Sequence, residues 1–286
     1  MRRWLGLAFL IAGICAQRAA AQCTPPTNSN EAKLLAFYAD PLAFSMATEP
    51  ELLPAGTIRI GGELSPIPTP DPSIERTDVC FTSKTENTRL APVFARPRVT
   101  VGLPKGFVVE ASYLPPVTIA DAQPNMGSVA LSYTRRLPGE LEGDPLLLTL
   151  RAHGTFGDVH GPITCAQSQL QQSDASQPCF GSNPSHDTFE PNMFGAEGAV
   201  GTTTSHGRLG VYAGAGFTWL RPRFQVGFTD GSGITDSTRI VVNLTRATVF
   251  GGLALHLPSS FDVTAQLYAV PADVVTWRLG AGWRFR

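Results

Sequence analysis

Hydrophobic and polar positions alternate along most of this chain, most strictly in its last stretch. Val275, Trp277, Leu279, Ala281, Trp283 and Phe285 are apolar, while Thr276, Arg278, Gly280, Gly282 and Arg284 between them are polar, charged or small. A period of two is a strand with one greasy and one wet face. The same period recurs upstream. It runs through Leu209–Trp219, Phe261–Ala269, Phe107–Tyr113, Val93–Leu103, Val129–Tyr133, Leu148–Phe156, Phe194–Val200 and Ile58–Leu64. Ile240–Leu257 is longer and shifts phase near Thr245, which predicts either a bulge or an extension beyond the membrane. About ten strands are expected, and the fold class is all-β.

The connections decide the architecture. Residues 65–92, 118–125, 159–191 and 223–238 are generally long and polar, with 271–273 a short exception in the same series, whereas 104–106, 138–145, 205–207 and 258–260 are short. An up-and-down antiparallel transmembrane barrel alternates its connections in this way. A secreted β-sandwich also alternates along its strands, but it gives no reason for long and short connections to take turns. In lipid no water pairs with the backbone, so strands must close on one another. With an even strand count, both ends of the barrel chain are expected on the short-turn side.

Arg278, Gly280, Trp283 and Phe285 fall in the order polar-x-Gly-x-x-aromatic-x-aromatic. This resembles the assembly signal in the closing strand of Gram-negative outer-membrane β-barrels, with Arg286 added after the last aromatic. The resemblance implies the cell outer membrane as location. It implies outer-membrane lipid, periplasmic chaperones and the barrel-assembly machinery as partners.

The N-terminus reads as a signal peptide over residues 1–21. Arg2 and Arg3 precede an apolar run from Leu5 to Ile14, and Ala19–Ala21 form a small-residue cleavage site. Residues 22–55 form a separate N-terminal segment, ahead of a barrel over 56–286. A short helix is expected from Glu31, capped by Asn30 and ended near Pro41, with Leu34, Leu35, Tyr38 and Leu42 on one face. This segment is a candidate plug for the lumen, loosely resembling the plug of the long-chain fatty-acid transporter family.

Composition narrows the classes further. Only 16% of residues are charged, with 28 Gly and 24 Pro, which suits short strands and turns. The net charge of -1 becomes about -4 without Arg2, Arg3 and Arg18, and no basic stripe exists to attract nucleic acid. After cleavage Cys23, Cys80, Cys165 and Cys179 remain, an even count that reads as two disulfides. Cys165–Cys179 closes one polar segment and leaves Cys23–Cys80. No Cys-x-x-Cys pair suggests a metal, and no cofactor motif is present.

The inward faces carry Arg96, Arg98, Arg151, Arg246 and Arg278, with Glu110 and Glu197 as acids and Gln266, Tyr212 and His153 as further polar groups. These either fill a narrow barrel with ion pairs or make a mildly cationic passage. Asp158-Val159-His160 resembles half of the active site of omptin proteases, which are also ten-stranded barrels. Asp71, Asp78 and Asp121 stand singly, so the second, acidic half has no match, and Ser205-His206 falls in a turn. The chain is therefore expected not to be an enzyme, with a barrel enzyme, either an omptin-like surface protease or a lipid-modifying enzyme, as the alternative of a different class. It is expected to be a structural barrel or narrow passive channel for small solutes, or alternatively a plugged transporter for hydrophobic compounds.

Overall fold

The computed structural model describes residues 22–286 except 78, 81–83, 86–91, 142, 205, 206 and 286. The expected signal peptide, Asp78 and Ser205-His206 lie outside the described residues. Ten antiparallel strands form the wall: β1 Ile58–Pro66, β2 Val93–Gly102, β3 Phe107–Leu114, β4 Gln123–Leu141, β5 Asp144–Gly161, β6 Met193–Thr203, β7 Leu209–Leu220, β8 Leu244–Leu257, β9 Phe261–Val270 and β10 Val274–Phe285. Each pairs with the next, and β10 returns to β1 through registers from Leu279↔Leu64 to Phe285↔Ile58, so the barrel is closed. The end carrying the short connections is called the turn end here, and the opposite one the loop end.

Two expected boundaries move. The residues read as an acidic turn, 138–145, are mostly ladder, since Glu140↔Pro145 and Leu141↔Asp144 still pair after a register shift beyond Arg136. A proline is tolerated at such an irregularity because no ladder donor is required there. The phase shift near Thr245 is a strand boundary, not a bulge, and the residues before it extend beyond the wall. Arg239–Val241 belongs to a different set of pairs, and β8 then runs against β7 without interruption from Leu244.

That different set is a small sheet over the loop end. The last residues of β5, Val159–Gly161, pair with Asp187–Glu190, which pairs with Arg223–Gln225, and this in turn with Arg239–Val241. Gln22–Cys23 adds to its edge in parallel. Disulfides Cys23–Cys80 and Cys165–Cys179 pin it, with Cα–Cα separations of 5.8 and 5.4 Å.

The described chain thus starts at the loop end, not on the short-turn side with the closing strand. Residues 22–55 pass down the lumen once. Helix α1 spans Asn30–Ala39, and its cap is Ser29, whose hydroxyl accepts from the Ala32 N–H. Asn30 does not cap. Its side-chain amide donates to the carbonyls of Ser73 and Arg76, tying α1 to the first long connection. A 3-10 turn, Asp40–Leu42, follows. The extended remainder reaches the turn end, where the Gly56 N–H donates to Gly102. Gly106 in the nearby hairpin has φ +81, and a Cβ there would stand 2.4 Å from the Thr134 carbonyl, so the tight turn demands glycine.

Candidate functional site

Strand parity decides which side chains meet the N-terminal segment. Outward residues such as Phe217, Leu267 and Val275 are each 57% exposed. Their inward neighbours Glu63, Arg96, Arg98, Arg151, Glu197, Gln266 and Arg278 are buried. The acids and bases alternate around the wall. Arg96 meets Glu63 at 2.8 Å, Glu63 meets Arg98 at 2.6 Å, and Arg98 meets Glu110 at 3.0 Å. Glu110 in turn pairs with Arg151, which lies 3.3 Å from Glu197. Three cations and three anions alternate along this arc. Glu63 was not among the expected acids, although its place between the outward Ile60 and Leu64 would have assigned it to the inner face.

The arc grips the backbone that crosses it. Six consecutive carbonyls accept hydrogen bonds from the wall: Pro41 from Arg278 (3.1 Å), Leu42 and Ala43 from Arg96 (3.0 and 2.8 Å), Phe44 from Arg151 (3.1 Å), Ser45 from Arg98 (2.7 Å) and Met46 from Gln266 (2.7 Å). Glu197 accepts from the Ser45 hydroxyl and the Met46 N–H, both at 2.7 Å. Hydrogen bonds to charged groups contribute about 1.5–3 kcal/mol each. Phe44 is fully buried at the centre, with the guanidinium carbons of Arg98, Arg96 and Arg151 at 4.2, 4.9 and 5.3 Å from its ring centroid. Arg278 also stacks over Tyr268 at 3.9 Å, and Arg246 pairs with Asp273. His153 and Tyr212 are inward and buried.

A second set of charges clasps the segment where it leaves the lumen. His256 bridges Glu49 at 2.5 Å and Asp262 at 2.7 Å. Arg284 bridges Glu51 at 2.7 Å and Asp262 at 3.2 Å, and Arg59 joins the same two acids. Of the expected assembly-signal residues, Arg278 and Gly280 face inward, the latter against the Thr264 hydroxyl. Trp283 and Phe285 are exposed outward near the turn end and stack on one another.

Above the gripped stretch, at the loop end, lies an apolar cavity of about 180 Å³. Its floor is α1 and the turn after it, through Leu34, Leu35, Tyr38 and Leu42, the four residues of the expected helical face. Its roof is the small sheet, through Phe189, Phe224 and Ile240, and Met126 of β4 forms part of the wall. Apolar cavities of roughly 150 Å³ stay dry and accept a benzene-sized guest. Sequence reading missed this site because its roof comes from strands of three or four residues, too short to show a period. The loop-end acid Asp71 sits apart and caps the short helix Pro72–Glu75, and hydrogen bonds from Ser73 hold its carboxyl below the ordinary range.

Asp158 and His160 flank Val159, which faces the cavity, so parity turns both of them away from it. His160 Nε2 lies 3.1 Å from Asp158 Oδ1, and its Nδ1 lies 3.1 Å from the Thr188 hydroxyl. The imidazole is about half exposed to solvent. Among the described residues no group of three or more His, Cys, Asp and Glu is placed to hold a metal ion.

No family model matches the chain, and no curated protein matches it. Solved structures of similar fold include Ail, the attachment invasion locus protein of Yersinia pestis, at 13% identity over 81% of this chain and 100% of that one, with a TM-score of 0.30. The outer membrane protease OmpT of Escherichia coli is 9% identical over 80% and 93% of the two chains, at 0.39. The toluene transporter TodX of Pseudomonas putida is 10% identical over 88% and 71%, at 0.32. Likeness at this level concerns the fold alone.

Proposed function

We propose that this chain is a Gram-negative outer-membrane barrel, closed to free diffusion through its lumen, that receives a small apolar compound at its loop-end mouth. Of the non-catalytic functions expected from the sequence, this favours the plugged transporter over the structural barrel and the narrow passive channel. The observation that carries the choice is the row of six consecutive carbonyls, Pro41 to Met46, held by the wall. Side chains that would line a solute path spend their donors on the plug instead. The membrane location is supported by the belt of exposed outward side chains, among them Phe217, Leu267, Val275 and Trp277, which a water-soluble barrel would not carry. Outer-membrane lipid and the barrel-assembly machinery are the partners this location requires.

The cavity supports an apolar guest about the size of a monocyclic aromatic, because its walls offer apolar surface and few polar partners. Titration of the purified protein in detergent with p-xylene tests this. Saturable one-to-one binding, with the negative heat-capacity change of apolar burial, is expected beyond the linear partitioning into empty micelles. Ala122→Trp, which fills the cavity, abolishes it. Linear partitioning alone would overturn the reading. The reading includes no catalytic step, and His160→Ala leaves p-xylene binding unchanged.

A further inference from the structure

A single carboxylate borders the apolar cavity. Among the described lining residues Glu31 is the only acid, none is Lys, Arg or His, and the other polar side chains are Thr77 and Tyr38. Glu31 is 2% exposed and lies in the first turn of α1. Its spacing from Leu34, Leu35 and Tyr38 puts it on the same helical face, so it extends the cavity floor by one turn.

Burying a carboxylate is costly unless it is hydrogen-bonded. The Val79 and Cys80 N–H groups both donate to its Oε1, at 2.6 and 3.1 Å. The start of a helix also suits a negative charge. These bonds tie α1 to the first long connection, next to the Cys23–Cys80 disulfide. Both amides go to one oxygen, and a carboxylate accepts about four hydrogen bonds in all. A donor on a guest can therefore join them. The hydroxyls of Thr77 and Tyr38 can donate or accept, whereas an ionised carboxylate only accepts. Of the lining groups, Glu31 is thus the one that distinguishes a guest with a donor from a guest without one.

We propose that Glu31 reads one hydrogen-bond donor on the guest, so that the cavity selects phenols and similar hydroxyl-bearing monocyclic aromatics over bare hydrocarbons and carboxylic acids. This selectivity rests on the apolar-ligand reading given under Proposed function and narrows it to a chemical class. A hydroxyl against the carboxylate makes a charge-assisted hydrogen bond, about twice as strong as a neutral one. The apolar ring meanwhile keeps the contacts of Leu34, Leu35, Phe189 and Phe224. A carboxylate guest brings a second negative charge beside Glu31, with no cation among the described lining residues to offset it. Fatty acids and other carboxylates are thereby turned away.

The test is calorimetric titration of the full barrel in detergent, at neutral pH, with p-cresol, p-fluorotoluene and p-toluate. Fluorine replaces the hydroxyl at nearly equal size and donates nothing. The unmodified protein is expected to bind p-cresol at least as tightly as p-fluorotoluene, although transfer out of water favours the fluoride. It is expected to show no saturable binding of p-toluate. Glu31→Gln keeps the shape and removes the charge, and should weaken p-cresol about tenfold while leaving p-fluorotoluene within twofold. The three guests on the unmodified protein decide the question if this variant fails to assemble. Weaker binding of p-cresol than of p-fluorotoluene, saturable p-toluate binding, or p-cresol affinity unaltered in Glu31→Gln would overturn the role of Glu31 and leave the cavity standing. Absence of saturable binding by every guest, p-xylene included, would overturn the cavity reading and the selectivity with it.

Discussion

Arg151 and Phe44, 107 positions apart in sequence, are joined twice: the guanidinium lies 5.3 Å from the ring centroid and also donates to Phe44's own carbonyl at 3.1 Å. The same arginine pairs with Glu110 and lies 3.3 Å from Glu197. One side chain thus holds plug ring, plug backbone and barrel wall together. Arg151→Met leaves two buried carboxylates short of a partner, and breaking such a pair costs about 3–5 kcal/mol. The temperature at which the unboiled barrel converts to its unfolded gel mobility should fall accordingly. Arg151→Lys keeps the charge without the planar fork and should fall between the two.

Phe44→Ala removes the shared partner of three guanidinium groups and leaves a void at the centre of the lumen. Truncating a buried Phe costs about 3–5 kcal/mol. Combined with Arg98→Met the losses should be less than additive, because the two side chains contact each other. Additive losses in denaturant melts would show that Phe44 packs independently of the charged arc.

The clasp at the turn end depends on His256, which sits between Glu49 of the segment and Asp262 of β9. His256→Ala removes both hydrogen bonds, a loss of about 2 kcal/mol or more. Limited proteolysis from the turn-end side should then cut near residues 49–55, while the gripped stretch at 41–46 stays protected. Cleavage as slow as in the unmodified protein would show that the clasp does not hold the exit.

The Cys23–Cys80 disulfide closes a long loop and ties the first described residues to the loop end. For a separation of 57 residues, loop-closure entropy alone is worth about 4 kcal/mol. Cys23→Ser/Cys80→Ser should release Gln22–Cys23 from the edge of the small sheet and expose residues 22–29 to protease added from the loop side. Peptide mapping of the unmodified protein should recover Cys23 joined to Cys80 and Cys165 joined to Cys179. Cys23 recovered free would contradict the single pass down the lumen.

The wall of this protein was legible in the sequence because a period of two survives wherever one face is lipid and the other is polar. Trp277 and Arg278 announce their opposite faces by adjacency alone. The apolar face of α1 was legible for the same reason, though its role as a cavity floor was not. The inward place of Glu63 was legible from parity, which the outward Ile60 and Leu64 supply. The grip on Pro41–Met46 was not legible, because carbonyl oxygens are common to every residue and carry no sequence signal. The roof of the cavity is built from segments such as Arg223–Gln225 and Arg239–Val241, whose pairing is set by tertiary contact.

Single-channel recording in a planar bilayer tests the central claim that the charged arc holds a plug and conducts nothing. The unmodified protein is expected to insert without stepwise conductance at moderate voltage, and the double variant Arg98→Met/Arg151→Met is expected to open in discrete steps as the segment loses its grip. Steady stepwise conductance from the unmodified protein would contradict the account.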